Sequence, residues 1–262
     1  MRRLRVWAPV AEAVDLITPD GRVPMEPSPI DTDRGWWEVD HDFPAGAFYK
    51  FALDGGDAVP DPRSPRQPEG PEGWSQAVDH AAFEWHDEDW TGFPLAAAVV
   101  YELHVGTFSP AGTFDGVIDK LDELVDLGVS AIEIMPVATF PGSRGWGYDG
   151  VNLCAPHEGY GGPDGLKRLV DACHSRRVAV VLDVVYNHLG PVGNSLSRFG
   201  PYFTDAYHSP WGDAVNLDGP GSDEVRRFII DNALQWVLDY HCLLYTSPSP
   251  RDRTRSRMPS SA

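Results

Sequence analysis

The sequence predicts an N-terminal antiparallel β-sandwich followed by the first part of a (β/α)8 barrel, left incomplete. Three observations carry that expectation. Residues 4 to about 85 run in short alternating stretches, separated by turn signals such as "PDG" and "DGGD". From residue 96 the units lengthen, and buried strand, long loop and helix recur in that order. Only three such units have passed by residue 242, whereas a closed barrel of eight takes about 250 residues.

In the first part, residues 1–88, "LRVWAP", "AVDLIT", "GWWEVD" and "AFYKFAL" read as strands. Successive strand residues face opposite ways, so of Trp36 and Trp37 one points into the core. The other either packs against the second part or offers a platform for a sugar. Residues 60–73, "PDPRSPRQPEGPEG", read as an extended connector, and Asp87 to Asp89 as a solvated boundary turn.

The second part spans residues 89–242. "AAAVVYELHV" is a continuous apolar strand of the kind buried on both faces of a parallel sheet. Thr113 caps a helix over "FDGVIDKLDELVDLG", with Val117, Leu121, Leu124 and Val125 as its apolar stripe and Gly128 as its stop. "VSAIEIMP" is the second strand, Pro163 opens the second helix and "VAVVLDVV" is the third strand. Ser222, with Asp223 and Glu224, caps the third helix. Long loops follow strands only, which places the working face at the strands' C-terminal ends.

Composition narrows the classes. With 39 acidic against 21 basic residues the net charge is −18, and the last twenty residues carry four Arg and one Asp, so the body is more acidic still. Such a surface argues against a nucleic-acid partner, which needs clustered cations. No apolar run reaches membrane-spanning length, and Pro9 and Glu12 interrupt the N-terminal stretch that a signal peptide would need. Cys154, Cys173 and Cys242 form no CxxC, so the expectation is a cytoplasmic protein with neither a disulfide framework nor a zinc site. Nine Trp, nine Tyr and eleven Phe suit stacking on sugars as well as filling cores.

The chemistry-bearing residues follow the strands. After the first come Glu102 and His104, after the second "GSRGWGYDGVN", after the third "DVVYNH". Asp183 lies inside an otherwise apolar strand, where a carboxylate is costly unless it meets a fixed cation or donors. Asn187 and His188 leave that strand's end within reach of a ligand's hydroxyls.

"DVVYNH" resembles the first conserved region of the α-amylase superfamily, glycoside hydrolase family 13. With "WGYDGV", "APHEGYGGPDGLKRLVDACH", "NHLGPVGN" and "VYELHVGTFSPAGTF", the resemblance covers residues 1 to about 242. It narrows to the branch that cuts the α-1,4 bond beside the terminal trehalose of maltooligosyl trehalose. Branching enzymes share the sandwich and the "WGY" loop, but the run after that loop and "NHLGP" depart from them. The resemblance implies a sandwich of the starch-binding-module type, an α-glucan substrate, a retaining mechanism and no cofactor. It implies that Tyr148 stacks on the sugar in the −1 subsite, His188 bonds its hydroxymethyl oxygen, and Asp183 braces the site through an arginine on strand four. Asn187 resembles a calcium-binding residue of α-amylases and is assigned a structural role, without metal. Trp211 is a candidate for the cleft wall or for core packing.

In that family the nucleophilic Asp and the acid/base Glu come from strands four and five. Here the strand-four place reads "CLLYTSPS", with neither arginine nor acid, so the chain is expected to be an inactive fragment. Twelve of the last twenty residues are Arg, Ser or Pro, and 243–262 reads as an aberrant disordered tail.

Overall fold

The computed structural model describes residues 4–30, 34–40, 43–92, 94–209 and 212–246. The first part holds seven strands: β1 (Leu4–Trp7), β2 (Val14–Thr18), β3 (Gly21–Pro24), β4 (Glu26–Pro27), β5 (Trp36–Val39), β6 (Phe48–Leu53) and β7 (Ser75–Gln76). They form two antiparallel sheets, ordered β1-β5-β4 and β3-β2-β6-β7. Val6 and Trp36 of one sheet and Val14, Leu16 and Phe51 of the other belong to one buried apolar cluster. Period-2 alternation thus turns one side of each sheet towards shared interior.

The same cluster continues into the second part through Leu153, Phe199, Tyr202 and Phe228. Trp7 meets Tyr202, and Phe51 meets Phe199, both edge to face. Trp36 is 6% exposed, and its Nε1 donates to Glu224 Oε2 at 3.0 Å across the junction. Trp37 is half-buried, donating to the Ala8 carbonyl at 3.1 Å, so packing rather than a sugar platform takes up this pair.

The barrel sheet is parallel, ordered β15-β12-β9-β8, from β8 (Val100–Leu103), β9 (Ala131–Ile134), β12 (Ala179–Val184) and β15 (Leu243–Thr246). A hairpin of β10 (Ala138–Thr139) and β11 (Asn152–Pro156) interrupts the second loop, and one of β13 (Phe203–Ser209) and β14 (Gly212–Val215) the third. Helices are α1 (Val105–Phe108), α2 (Phe114–Ile118), α3 (Leu121–Asp126), α4 (Gly162–Ser175), α5 (Leu196–Phe199) and α6 (Ser222–Leu238). In α4, Leu166, Leu169, Val170 and Cys173 recur at helical spacing and all are buried against the sheet.

Several expectations need correcting. The first barrel strand is not buried on both faces: it is the sheet's edge, and Val100, Tyr101 and Glu102 are exposed because one flank has no neighbour among the described residues. The first helix is two, α2 and α3, breaking at Asp119 and Lys120, although Thr113 caps as expected by accepting from Gly116 N at 3.1 Å. Ser222 is the first helical residue rather than the cap, and Gly221 at φ +78° precedes it. Asp87 is no solvated turn residue, since its side chain is buried between His174 and His241.

The boundary at residue 242 also moves. Leu243 to Thr246 pair in parallel with Val181 to Val184, so the expected tail begins with a fourth strand of the parallel sheet. Its four residues, "LLYT", are apolar or β-branched and suit a half-buried sheet. The rest of that tail, like Trp211, lies outside the described residues.

Candidate functional site

Parallel strands bring β8, β9 and β12 to one edge with their C-terminal ends aligned, and the following loops converge there. Val184 ends β12, and Tyr186, Asn187 and His188 continue outward. The loop after β9 returns through β10 and β11, closed by Val151 N to the Thr139 carbonyl at 2.9 Å. Gly147 sits at φ +89°, where any Cβ would lie 2.1 Å from the Pro136 carbonyl oxygen, so only glycine lets the loop lie this close to β9. Tyr148 follows and is delivered over the end of β12.

A narrow cleft of about 20 Å³ results, lined by Tyr148, Asp183, Tyr186, His188, Asn232 and Trp236. Four of the five residues proposed from sequence can be located. Asp183 is 5% exposed, and the Tyr148 hydroxyl reaches its Oδ2 at 3.5 Å. Tyr148 keeps 37% of its surface exposed. His188 places Nε2 at 2.9 Å from the Tyr148 carbonyl, and Asn187 Oδ1 lies 2.6 Å from its Nδ1. The Tyr148 carbonyl and Asn187 Oδ1 thus hold the ring from its two nitrogens. Asn187 therefore orients His188 and is itself exposed.

The electrostatics are acidic. Burial raises the Tyr148 phenol above its ordinary value, and the negative charges of Asp183 and Glu102 push it further. Glu133 stands beside Glu102 in register on the neighbouring strand, and burial, then that charge, raises its carboxyl. Sequence reasoning singled out Asp183 and Glu102 but passed over Glu133, although an acid inside "AIEI" gives the same signal. It also missed His104's task. Its Nε2 lies 2.7 Å from the Gly145 carbonyl and 3.2 Å from the Tyr160 hydroxyl, which pins the loop carrying Tyr148 and the 70% exposed Trp146.

With a carboxylate at its floor, an aromatic face and hydrogen-bonding edges, the cleft suits an uncharged polyhydroxyl ligand. Asp183 is the single carboxylate among the described residues that line it. A larger cavity, about 710 Å³, lies elsewhere, between the first part and α6, bounded by Tyr49, Asp61, Arg63 and Asp231.

Comparison with known proteins places these features. The alpha-amylase catalytic domain model matches residues 81–200. A malto-oligosyltrehalose trehalohydrolase from Arthrobacter ramosus is 52% identical over 244 residues, covering 92% of this chain and 42% of that protein. A 1,4-alpha-glucan branching enzyme from Vibrio cholerae is 35% identical, covering 91% of this chain and 36% of its own length. Among solved structures, a Salmonella typhimurium protein assigned as an alpha amylase superposes with a TM-score of 0.87 at 42% identity, covering 93% of this chain and 41% of that one. The chain thus spans about two fifths of the length of the curated relatives it matches.

Proposed function

Because this chain belongs to the α-amylase family, we propose that its cleft grips an α-glucan for a glycoside hydrolase that cuts maltooligosyl trehalose beside its terminal trehalose. The supporting observation is the meeting of Tyr148, Asp183 and His188 at one sheet edge, in a chain 52% identical to a trehalohydrolase and 35% identical to a branching enzyme. In this reading Tyr148 stacks on a sugar ring and His188 bonds a hydroxymethyl oxygen. Asp183 and Asn187 hold that pair in place. Residues 1–88 form the sandwich module, and the barrel begins at residue 89 and includes β15.

Retention requires two carboxyl groups about 5 to 5.5 Å apart, one attacking the anomeric carbon and the other protonating the leaving oxygen. The cleft lining offers Asp183 alone, which sits below Tyr148 and already bonds to it. "LLYT" adds no acid at the end of β15. The polypeptide as it stands binds glucan without turning it over. Incubation of the purified chain with maltooligosyl trehalose, with free trehalose as the readout, checks this: no release above a buffer blank is expected, and sustained release overturns it.

A further inference from the structure

We propose that Asn232 is a positioning residue for the cleft, its carboxamide holding Tyr186 and, through Tyr186, the Asn187–His188 pair. This rests on reading the cleft as an α-glucan site. Asn232 lies on α6, 1% exposed, between the buried Phe228 and Trp236 of the same helix. Its hydrogen-bonding capacity is fully used. Oδ1 accepts from the Tyr186 hydroxyl at 2.8 Å and from Trp236 Nε1 at 3.0 Å; Nδ2 donates to the Leu153 carbonyl at 2.9 Å and reaches Cys154 Sγ at 3.5 Å. An indole nitrogen only donates and a carbonyl only accepts, so the carboxamide has one orientation.

That orientation decides where Tyr186 stands. β12 ends at Val184, and no sheet ladder holds the chain beyond it until Gly190 N meets the Gly150 carbonyl at 3.0 Å. Between those two points the Tyr186 hydroxyl ties the segment to α6. Gln235, one turn on, donates to the Cys154 carbonyl at 2.9 Å and so fixes the same helix to β11. A leucine would fill the volume of Asn232 but could not place a hydroxyl. The polar residue is explained by what it positions.

A double-mutant cycle on the full chain tests this, with maltotriose affinity read by calorimetry for wild type, Asn232→Leu, Tyr186→Phe and the double variant. Each single change is expected to weaken binding about fivefold, and the double variant to bind no more weakly than the weaker single, because both remove one interaction. Independent, multiplying losses overturn the assignment, as does unchanged binding by Tyr186→Phe, which keeps the ring and decides the matter if Asn232→Leu fails to fold. Absence of binding by wild type overturns the glucan reading and this assignment with it.

Discussion

His157 stacks on Phe140 with ring centroids 3.9 Å apart, and burial pushes its imidazole down to about 4. Below the ordinary value of 6.5 the unfolded chain takes up a proton that the folded one refuses, so stability falls as pH drops from 6.5 towards 4. His157→Phe keeps the stack and is expected to flatten that slope in denaturant melts across this range; an unchanged slope would place the proton uptake elsewhere. At this scale the sequence spoke where a residue offended its surroundings. Asp183 stood out as a charge within apolar neighbours, while the role of Tyr148 came from the resemblance of "WGYDGV" alone. Asn232 gave no signal, because one polar residue in a helix reads as surface until the helix's buried side is known.

Between residues 80 and 90 the chain straps α4, an element that sequence periodicity does not encode. Asp87 Oδ2 lies 2.8 Å from His174 Nδ1 and 2.7 Å from His241 Nδ1, while Trp90 stacks on His174 and Trp85 on His241. Burial works to raise the Asp87 carboxyl, but hydrogen bonds from the two histidines outweigh it and hold the group below the usual carboxylate value. His241 occupies the left-handed region at φ +54°, a turn that lets Leu243 enter the sheet. Asp87→Ala is expected to cost about 2 to 3 kcal/mol, because His174 stays buried without its partner. Hydrogen exchange should then quicken first in β15, and uniform exchange across β12 and β15 would deny the strap that task. Helix α4 was legible from the proline that opens it, whereas the break between α2 and α3 and the strand over "LLYT" were not: adjoining helices share one stripe, and four residues carry too little period to stand out from a tail.

Across the whole molecule, the change of rhythm near residue 96 marks where antiparallel sheets give way to the parallel one, but the shared core was not legible. One apolar cluster joins both sheets of the first part to Phe199, Tyr202 and Phe228, and Arg63 Nη1 bonds Asp231 Oδ2 at 2.8 Å over the same junction. Residues 1–88 expressed alone are therefore expected to expose Trp7, Trp36 and Phe51 and to lack a cooperative thermal transition; a sharp transition matching the full chain's would show the module to be self-sufficient. The acidic surface and the single carboxylate in the cleft agree with a site for an uncharged sugar. The most direct measurement is a crystal structure of the chain grown with maltotriose. A glucose ring is expected against the face of Tyr148 with its hydroxymethyl oxygen beside His188, and sugar bound elsewhere with this cleft empty would overturn the α-glucan reading.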